Sequence, residues 1–217
     1  MSDAFYDILY TLGYPAFWVS SSPTVLRAEL TRRSGPFILA ANHQSPYDIP
    51  LLMRHCAGRI DFVSIVEVFR NPFVAWLYGS MNAFPLDRSR PDPHTVRIVL
   101  DRLKRGRVVG MFPEGRFSRG QDSVVHSRRI RPGIGRIAQL ANVPIVPCVL
   151  INSQAYSRFW SWLPFRHTRY GIAFGPAIEP SEDVDGVERN LVDQFVALHT
   201  ELTSAMGLPL LPTASGP

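Results

Sequence analysis

Residues 37–48 read Phe37-Ile38-Leu39-Ala40-Ala41-Asn42-His43-Gln44-Ser45-Pro46-Tyr47-Asp48. The first five residues form a continuous apolar run, which is typical of a buried strand. Ser45, Pro46 and Asp48 then match a helix start, with a serine cap, a proline in the first helical position and an acid three residues after the cap. The segment therefore predicts a buried strand, a short turn and a helix.

Apolar runs and helical patterns alternate along the rest of the chain. Strands are predicted at residues 36–41, 60–66, 82–86, 107–112, 145–151 and 170–175, and helices at about 46–56, 70–80, 93–105, 130–142 and 186–206. This alternation predicts an α/β fold, a single domain with a mixed, mostly parallel sheet flanked by helices. We assign residues 35–207 to the domain, 1–34 to an aromatic, membrane-interfacial segment and 208–217 to a loosely ordered tail.

The charge of the chain is unevenly distributed. Lys and Arg total 23 and Asp and Glu total 18, yet seven of the acids and only one of the bases lie in residues 176–203. Residues 1–175 are therefore strongly basic, and Lys104 is the only lysine among their bases. An arginine-rich surface is typical of proteins that meet nucleic acid, an anionic membrane or a phosphorylated substrate.

Two aromatic-rich segments, residues 5–19 and 158–166, match the composition of a membrane interface, although packing on the domain would also account for them. No run of 18 uncharged apolar residues occurs, so a transmembrane helix is not expected. The first residues lack the basic start of a secretory signal. We therefore expect a peripheral or monotopic protein on the cytoplasmic face of a membrane.

His43 and Asp48 bring a base and a carboxylate together at the end of a predicted strand. If His43 lies in the turn before the helix, the carboxylate can orient the imidazole and stabilise the imidazolium formed on proton abstraction. The helix cap alone explains Ser45, Pro46 and Asp48 without chemistry, but it leaves Asn42 and His43 unexplained. Both interpretations of the turn stay open at this point.

A second run, Met111-Phe112-Pro113-Glu114-Gly115-Arg116-Phe117-Ser118-Arg119, closes another predicted strand and opens an arginine-rich loop. Arg88 likewise follows a predicted strand, and residues 143–147 form an apolar strand bracketed by prolines. Because the planar guanidinium group matches the oxygens of phosphate, these loops predict an anion-binding surface near His43.

In this order, the four elements resemble the blocks of the glycerolipid acyltransferase family, which includes bacterial 1-acylglycerol-3-phosphate acyltransferases. Asn42 to Asp48 matches the block N-H-x-x-x-x-D, and Arg88 matches the arginine of the second block. Phe112 to Ser118 matches F-P-E-G-T-R-S, and Val143 to Pro147 matches V-P-I-V-P. The resemblance spans about residues 35–180 and implies a glycerol-3-phosphate acyltransferase-like fold.

The resemblance implies transfer of an acyl group from a thioester, acyl-CoA or acyl-acyl carrier protein, to a hydroxyl of a lysophospholipid, foremost 1-acylglycerol-3-phosphate. His43 would act as the base and Asp48 would orient it. No cofactor, metal or nucleic acid is expected, whereas an anionic membrane surface is an expected partner. The residues implied to bind substrate are Asn42, Arg88, Glu114, Gly115, Arg116, Ser118 and Arg119.

The third block departs from the family pattern at two positions. Arg116 stands where the family has threonine, and Phe117 stands where it has arginine. Because that arginine is expected to hold the phosphate of the acceptor, a different lipid or a non-phosphorylated acceptor stays open, as does replacement of the contact by Arg116 or Arg119. Two other classes compete: a thioester or ester hydrolase that uses His43 and Asp48, and a module that binds nucleic acid or anionic lipid.

Overall fold

The computed structural model of the protein describes residues 18–65, 84–86 and 93–209, together with the single positions 7, 11 and 15. For residues 64, 65, 84–86, 93 and 94 it describes the main chain only. Within these residues the chain forms a seven-stranded sheet with helices on both faces. Arg88 and the helix predicted at residues 70–80 lie outside the described residues.

The described strands lie in the order β1-β7-β6-β2-β5-β3-β4. Only β6 and β7 pair antiparallel, whereas the other pairs are parallel. The predicted mixed, mostly parallel sheet is therefore confirmed. The described strands are β1 (Ser21–Leu26), β2 (Ile38–Ala41), β3 (Ile60–Ile65), β4 (Phe84–Leu86), β5 (Val108–Met111), β6 (Ile145–Ile151) and β7 (Thr168–Phe174). Among the described residues beyond residue 20, the α-helices are α1 (Asp48–His55), α2 (Pro93–Lys104), α3 (Val124–Ser127), α4 (Ile134–Ala141) and α5 (Val184–Ala205).

Strand β2 lies inside the sheet, between β5 and β6, and runs parallel to both. Its side chains alternate between two hydrophobic clusters. Ile38 and Ala40 pack on the face covered by α2, α4 and α5, and Leu39 and Ala41 pack on the face that includes α1. A parallel strand that is buried on both faces reads as an unbroken apolar run, which explains the pattern of residues 37–41.

The carboxyl ends of β2 and β5 lie side by side, with Ala40 paired to Met111. The loops that follow these strands, residues 42–47 and 112–119, therefore leave the sheet at the same edge. From β2 the chain continues to β3 on one side, while β6 flanks β2 on the other. In open α/β sheets, this kind of divergence outside the carboxyl ends of the strands creates the usual ligand-binding crevice.

Strand β1 is the one described strand that the apolar patterns do not predict. Its sequence is Ser-Ser-Pro-Thr-Val-Leu, and it pairs through Ser21–Leu26 with β7 at the edge of the sheet. An edge strand is only partly buried and accepts proline, so it needs no apolar run. The sheet consequently begins upstream of the domain boundary that we placed at residue 35.

Within the part of the chain that the structure describes, no helix has the length and apolar composition needed to cross a membrane. Helix α5 ends at Ala205, and residues 210–217 lie outside the described residues. The loosely ordered tail from residue 208 onward stays a prediction.

Candidate active site

His43 and Asp48 form a direct pair at the carboxyl edge of the sheet. The Nδ1 atom of His43 lies 2.8 Å from Oδ2 of Asp48, which is fully buried, whereas the imidazole keeps 12% of its surface exposed. Since the carboxylate accepts the hydrogen bond, Nδ1 carries the proton and Nε2 carries the free lone pair. Nε2 has no hydrogen-bond partner among the described residues, so it is available as a base.

The turn between β2 and α1 is organised around the same carboxylate oxygen. The main-chain N–H groups of Gln44 and Ser45 donate to Asp48 Oδ2 at 2.7 and 3.0 Å, and the Oγ of Ser45 accepts the N–H of Tyr47 at 3.2 Å. The bond from the Ser45 N–H to Asp48 is one half of a capping box, whereas Ser45 Oγ binds the N–H of Tyr47 instead of that of Asp48. The regular helix begins at Asp48, two residues later than the cap pattern indicates. The cap and the orientation of His43 therefore use one side chain for both purposes.

Two phenyl rings flank the imidazole. The ring of Phe112 stacks on His43 with a centroid separation of 3.8 Å and an interplanar angle of 13°. The ring of Phe117 contacts it at 4.3 Å and 47°, with 52% of the residue exposed to solvent. Such contacts restrict the ring to one orientation, because aromatic stacking adds to the hydrogen bond with Asp48. Phe117 was not among the predicted site residues, although its departure from the family pattern marked the position.

Glu114 holds the main chain of His43 in place. Its Oε2 accepts the N–H of His43 and its Oε1 accepts the N–H of Val124, both at 2.6 Å, and the residue is buried. Burial raises the pKa of Glu114 from 4.5 to about 7, although the two N–H donors act in the opposite direction. Ser118 donates its N–H to the carbonyl of His43 at 2.8 Å. Both polar groups of the His43 main chain are thus bound by the loop after β5.

The side chain of Asn42 also binds the main chain, at Leu150 of β6. Its Nδ2 donates to the carbonyl of Leu150 at 3.0 Å, and its Oδ1 accepts the N–H of Leu150 at 2.7 Å. The side chain therefore continues the parallel pairing of β2 with β6 by one more rung. The Asn42 and Glu114 side chains are both buried and bind main-chain groups, and both thereby position His43. Binding of substrate by Asn42 and Glu114 stays a prediction.

Exposed arginines surround this loop. Arg119 donates Nε to the carbonyl of Gln44 at 2.8 Å, which places it beside the turn that holds His43. The neighbouring positive charge of Arg116 acts to lower the pKa of Glu114. Gly115 has a φ of +67°, and a Cβ at this position would come within 2.6 Å of the Arg131 side chain. Gly115 thus lets Arg131, which we had not predicted as a site residue, lie across the loop. The site joins a general base to a positively charged rim.

The structure is thus an α/β domain with an oriented histidine and exposed arginines at the carboxyl edge of its sheet. Comparison with known proteins refines this description. The family model described as Acyltransferase matches residues 22–151, more than half of the chain. The chain therefore belongs to the acyltransferase family.

Individual relatives agree with this assignment. A 1-acyl-sn-glycerol-3-phosphate acyltransferase of Streptococcus pneumoniae is 32% identical over 175 residues, which cover 76% of this chain and 61% of that protein. A protein of the same name from Bacillus subtilis is 30% identical over 112 residues, or 51% and 53% of the two chains. The matched part of the chain thus spans between half and three fifths of the length of these two relatives.

The fold has a counterpart among solved structures. The crystal structure of the 1-acyl-sn-glycerophosphate acyltransferase PlsC from Thermotoga maritima matches with a TM-score of 0.69 and 22% sequence identity. The match covers 92% of this chain and 80% of that chain. At this level of identity the likeness shows a shared fold.

Proposed function

We propose that this protein transfers a fatty acyl group from an acyl thioester to the free hydroxyl of 1-acylglycerol-3-phosphate, giving phosphatidic acid. The contact between His43 Nδ1 and Asp48 Oδ2 carries this proposal, because it leaves Nε2 as a base beside a basic rim. The names of the relatives from Streptococcus pneumoniae and Bacillus subtilis support the same reaction and acceptor.

The proposed reaction is a direct displacement. Nε2 of His43 takes the proton of the acceptor hydroxyl while the oxygen attacks the thioester carbonyl, and the C–S bond then breaks. The imidazolium returns its proton to the departing thiolate, so the enzyme ends in its starting state. Asp48 stabilises the imidazolium between these two steps, and burial makes that interaction stronger than it would be in water. Acyl-CoA and acyl-acyl carrier protein both supply the activated acyl group, so no cofactor is invoked.

The arginines of the rim would hold the acceptor. Arg116, Arg119 and Arg131 are exposed, and two of them contact the loops that carry His43 and Glu114. Guanidinium groups bind phosphate oxygens through paired hydrogen bonds, and they hold the hydroxyl near the base by proximity. Arg88 remains part of this proposal, although it lies outside the described residues. Because the acceptor and the acylated product are both lipids, we also propose that the protein acts at the cytoplasmic face of a membrane.

Phe117 favours an acceptor other than 1-acylglycerol-3-phosphate as the alternative. An apolar ring occupies the position where the related sequences are expected to carry a phosphate-binding arginine, and it is half exposed beside His43. A lysolipid with a different headgroup, or an acceptor without phosphate, would fit such a ring better than a bare phosphate. The reaction would be the same, with His43 as the base.

The test is product analysis by mass spectrometry. The purified protein is incubated with a mixed pool of acyl-CoA and acyl-acyl carrier protein and with a panel of acceptors that includes lysolipids with and without phosphate. We expect phosphatidic acid as the main product, and His43→Ala should reduce its rate by about 10²- to 10⁴-fold. His199→Ala, on helix α5, is the matched control and should leave the rate unchanged. Transfer that survives His43→Ala, or thioester hydrolysis without any acylated acceptor, would contradict the proposal.

A further inference from the structure

The largest cluster of exposed apolar side chains in the described structure lies in the segment between β6 and β7. Phe159, Trp160 and Phe165 are 72%, 64% and 77% exposed, and Leu163 is 40% exposed. The N–H of Phe165 donates to the carbonyl of Val19 at 2.8 Å, which brings the neighbouring Trp18, 66% exposed, to the same surface. We call these five residues, Trp18, Phe159, Trp160, Leu163 and Phe165, the aromatic surface.

The aromatic surface stands on a well-ordered base. Ser161 is buried and donates Oγ to the carbonyl of Ala155 at 2.7 Å, and Trp162 donates Nε1 to the carbonyl of Tyr156 at 2.8 Å. Thr168 closes the segment with a hydrogen bond from its Oγ1 to the carbonyl of Ser161 at 3.0 Å. The segment is therefore anchored through Ser161, Trp162 and Thr168, while the apolar side chains on either side of Ser161 and Trp162 stay exposed. A contiguous apolar patch maintained in this way marks an interaction site.

The charge near the aromatic surface identifies its partner. Arg158 and Arg166 bracket the segment and are both exposed, and no acidic residue occurs in the sequence between Asp122 and Glu179. Tryptophan and phenylalanine beside arginine, without acids, suit the boundary of an anionic bilayer, where the rings enter the acyl region and the guanidinium groups bind lipid phosphates. We propose that the aromatic surface docks this protein onto an anionic phospholipid bilayer.

The base of the aromatic surface also contacts the catalytic turn. The ring of Tyr47 lies 5.7 Å from that of Trp162 and 6.3 Å from that of Tyr156, measured between centroids. Ser45 donates its Oγ to Oγ of Ser153 at 3.1 Å. Docking through the aromatic surface therefore brings the turn that holds His43 to the lipid headgroups. This consequence rests on the proposed function, since it matters only if the acceptor is a lipid.

Vesicle sedimentation tests whether the aromatic surface binds the bilayer. The probes are vesicles of phosphatidylcholine alone and of phosphatidylcholine with phosphatidylglycerol. Trp160→Gln with Phe165→Asn removes two rings, and asparagine suits the φ of +63° at position 165. We expect this double variant to bind mixed vesicles at least about tenfold more weakly than the wild type. Leu140→Gln, which removes an exposed apolar residue on α4, is the matched control and should bind normally.

A second pair of substitutions tests the electrostatic contribution to bilayer binding. Arg158→Gln with Arg166→Gln should weaken binding to mixed vesicles by about five- to thirtyfold and leave the weak binding to phosphatidylcholine unchanged. Wild-type affinity for mixed vesicles in both double variants would overturn the proposal. A changed oligomeric state by light scattering, with vesicle binding unchanged, would overturn it too and make the surface a protein interface.

Acyl-transfer assays of the same variants distinguish a failure of the docking proposal from a failure of the proposed function. With a short-chain lysolipid below its micellar concentration, the Trp160→Gln, Phe165→Asn variant should match the wild type within about threefold, whereas transfer to acceptors in vesicles should fall with binding. If no acceptor is acylated by any variant but vesicle binding changes as expected, the proposed function fails and the docking surface stands. If transfer proceeds and vesicle binding does not change, the docking surface fails.

Discussion

Asp48 and Asp61 are two fully buried carboxylates at opposite ends of the sheet, and they serve different purposes. Asp48 follows the carboxyl end of β2, and its Oδ2 accepts hydrogen bonds from His43 and from two main-chain N–H groups. Asp61 lies near the amino end of β3, and its oxygens lie 2.6 Å from Nη2 of Arg107 and 3.4 Å from Nη1 of Arg102. Burial of an acid therefore does not by itself mark the active site.

The side chains that bind the two carboxylates account for the different roles of Asp48 and Asp61. Arginine stays charged throughout the physiological range, so the ion pairs of Asp61 neutralise a buried charge and tie α2 and the start of β5 to β3. Histidine changes its charge during a proton transfer, so the negative charge of Asp48 matters most at the moment when the imidazolium forms. We infer that the first acid supports the reaction and that the second supports the fold.

Parallel substitution of the two acids tests this comparison with the largest expected effects. Asp48→Asn keeps an acceptor oxygen but removes the charge, so we expect the turnover number to fall by about 10²-fold or more with a modest loss of stability. Asp61→Asn removes the buried charge that the guanidinium groups of Arg102 and Arg107 bind, so we expect the free energy of unfolding to fall by about 1.5–3 kcal/mol. Turnover and urea unfolding, both measured on folded protein at low temperature, give the two readouts.

The comparison fails if the two variants behave alike. Equal loss of turnover per folded molecule would show that both ends of the sheet support the reaction. A large loss of stability in Asp48→Asn, with normal turnover, would reduce the His43–Asp48 pair to a helix cap.

Glu114 allows a pH-dependent test of the loop that binds the His43 main chain. Its pKa is raised to about 7, so the folded protein binds this proton more tightly than the unfolded chain. The resulting stabilisation is fully present below the unfolded pKa and is lost as the pH rises through about 7. Because glutamine does not titrate, the difference in unfolding free energy between the wild type and Glu114→Gln should shift by about 2 kcal/mol against the wild type from pH 5 to pH 8.

The same variant distinguishes positioning from substrate binding. A side chain that holds the His43 main chain should affect turnover more than the KM for the acceptor. A selective increase in that KM, or a difference in stability that does not change with pH, would contradict the role assigned to Glu114. Urea unfolding at several pH values and steady-state kinetics supply the measurements.

Substitution of Phe117 has the smallest predicted effect on turnover, and it tests most directly which acceptor the protein uses. Aromatic contacts of this kind contribute about 0.5–1.5 kcal/mol, so Phe117→Ala should reduce turnover by about two- to tenfold, and Phe117→Leu should reduce it less. Phe117→Arg restores the residue that the family pattern expects and should lower the KM for phosphate-bearing acceptors. Unchanged kinetics in Phe117→Ala would show that Phe112 and Asp48 orient the imidazole sufficiently.

Much of this fold could be predicted because its central strands are buried on both faces. Residues 38–41 and 145–151 read as continuous apolar runs, and the structure places strands there. Strand β1 could not be predicted in this way, since an edge strand with Pro23 and two serines has no such run. The His43–Asp48 contact was accessible because both residues lie in one turn, where the cap pattern restricts the geometry.

The α/β class, the base with its orienting acid and the resemblance to an acyltransferase follow from the amino-acid sequence, because each is carried by short segments of consecutive residues. The contacts of Asn42 and Glu114 follow only from the folded chain, since the packing of separate strands and loops brings Leu150 and Val124 to them. The same holds for Phe117, which contacts His43 across two loops, and for the aromatic surface. Composition shows which side chains a segment carries, but only the folded chain shows which of them its own core leaves uncovered.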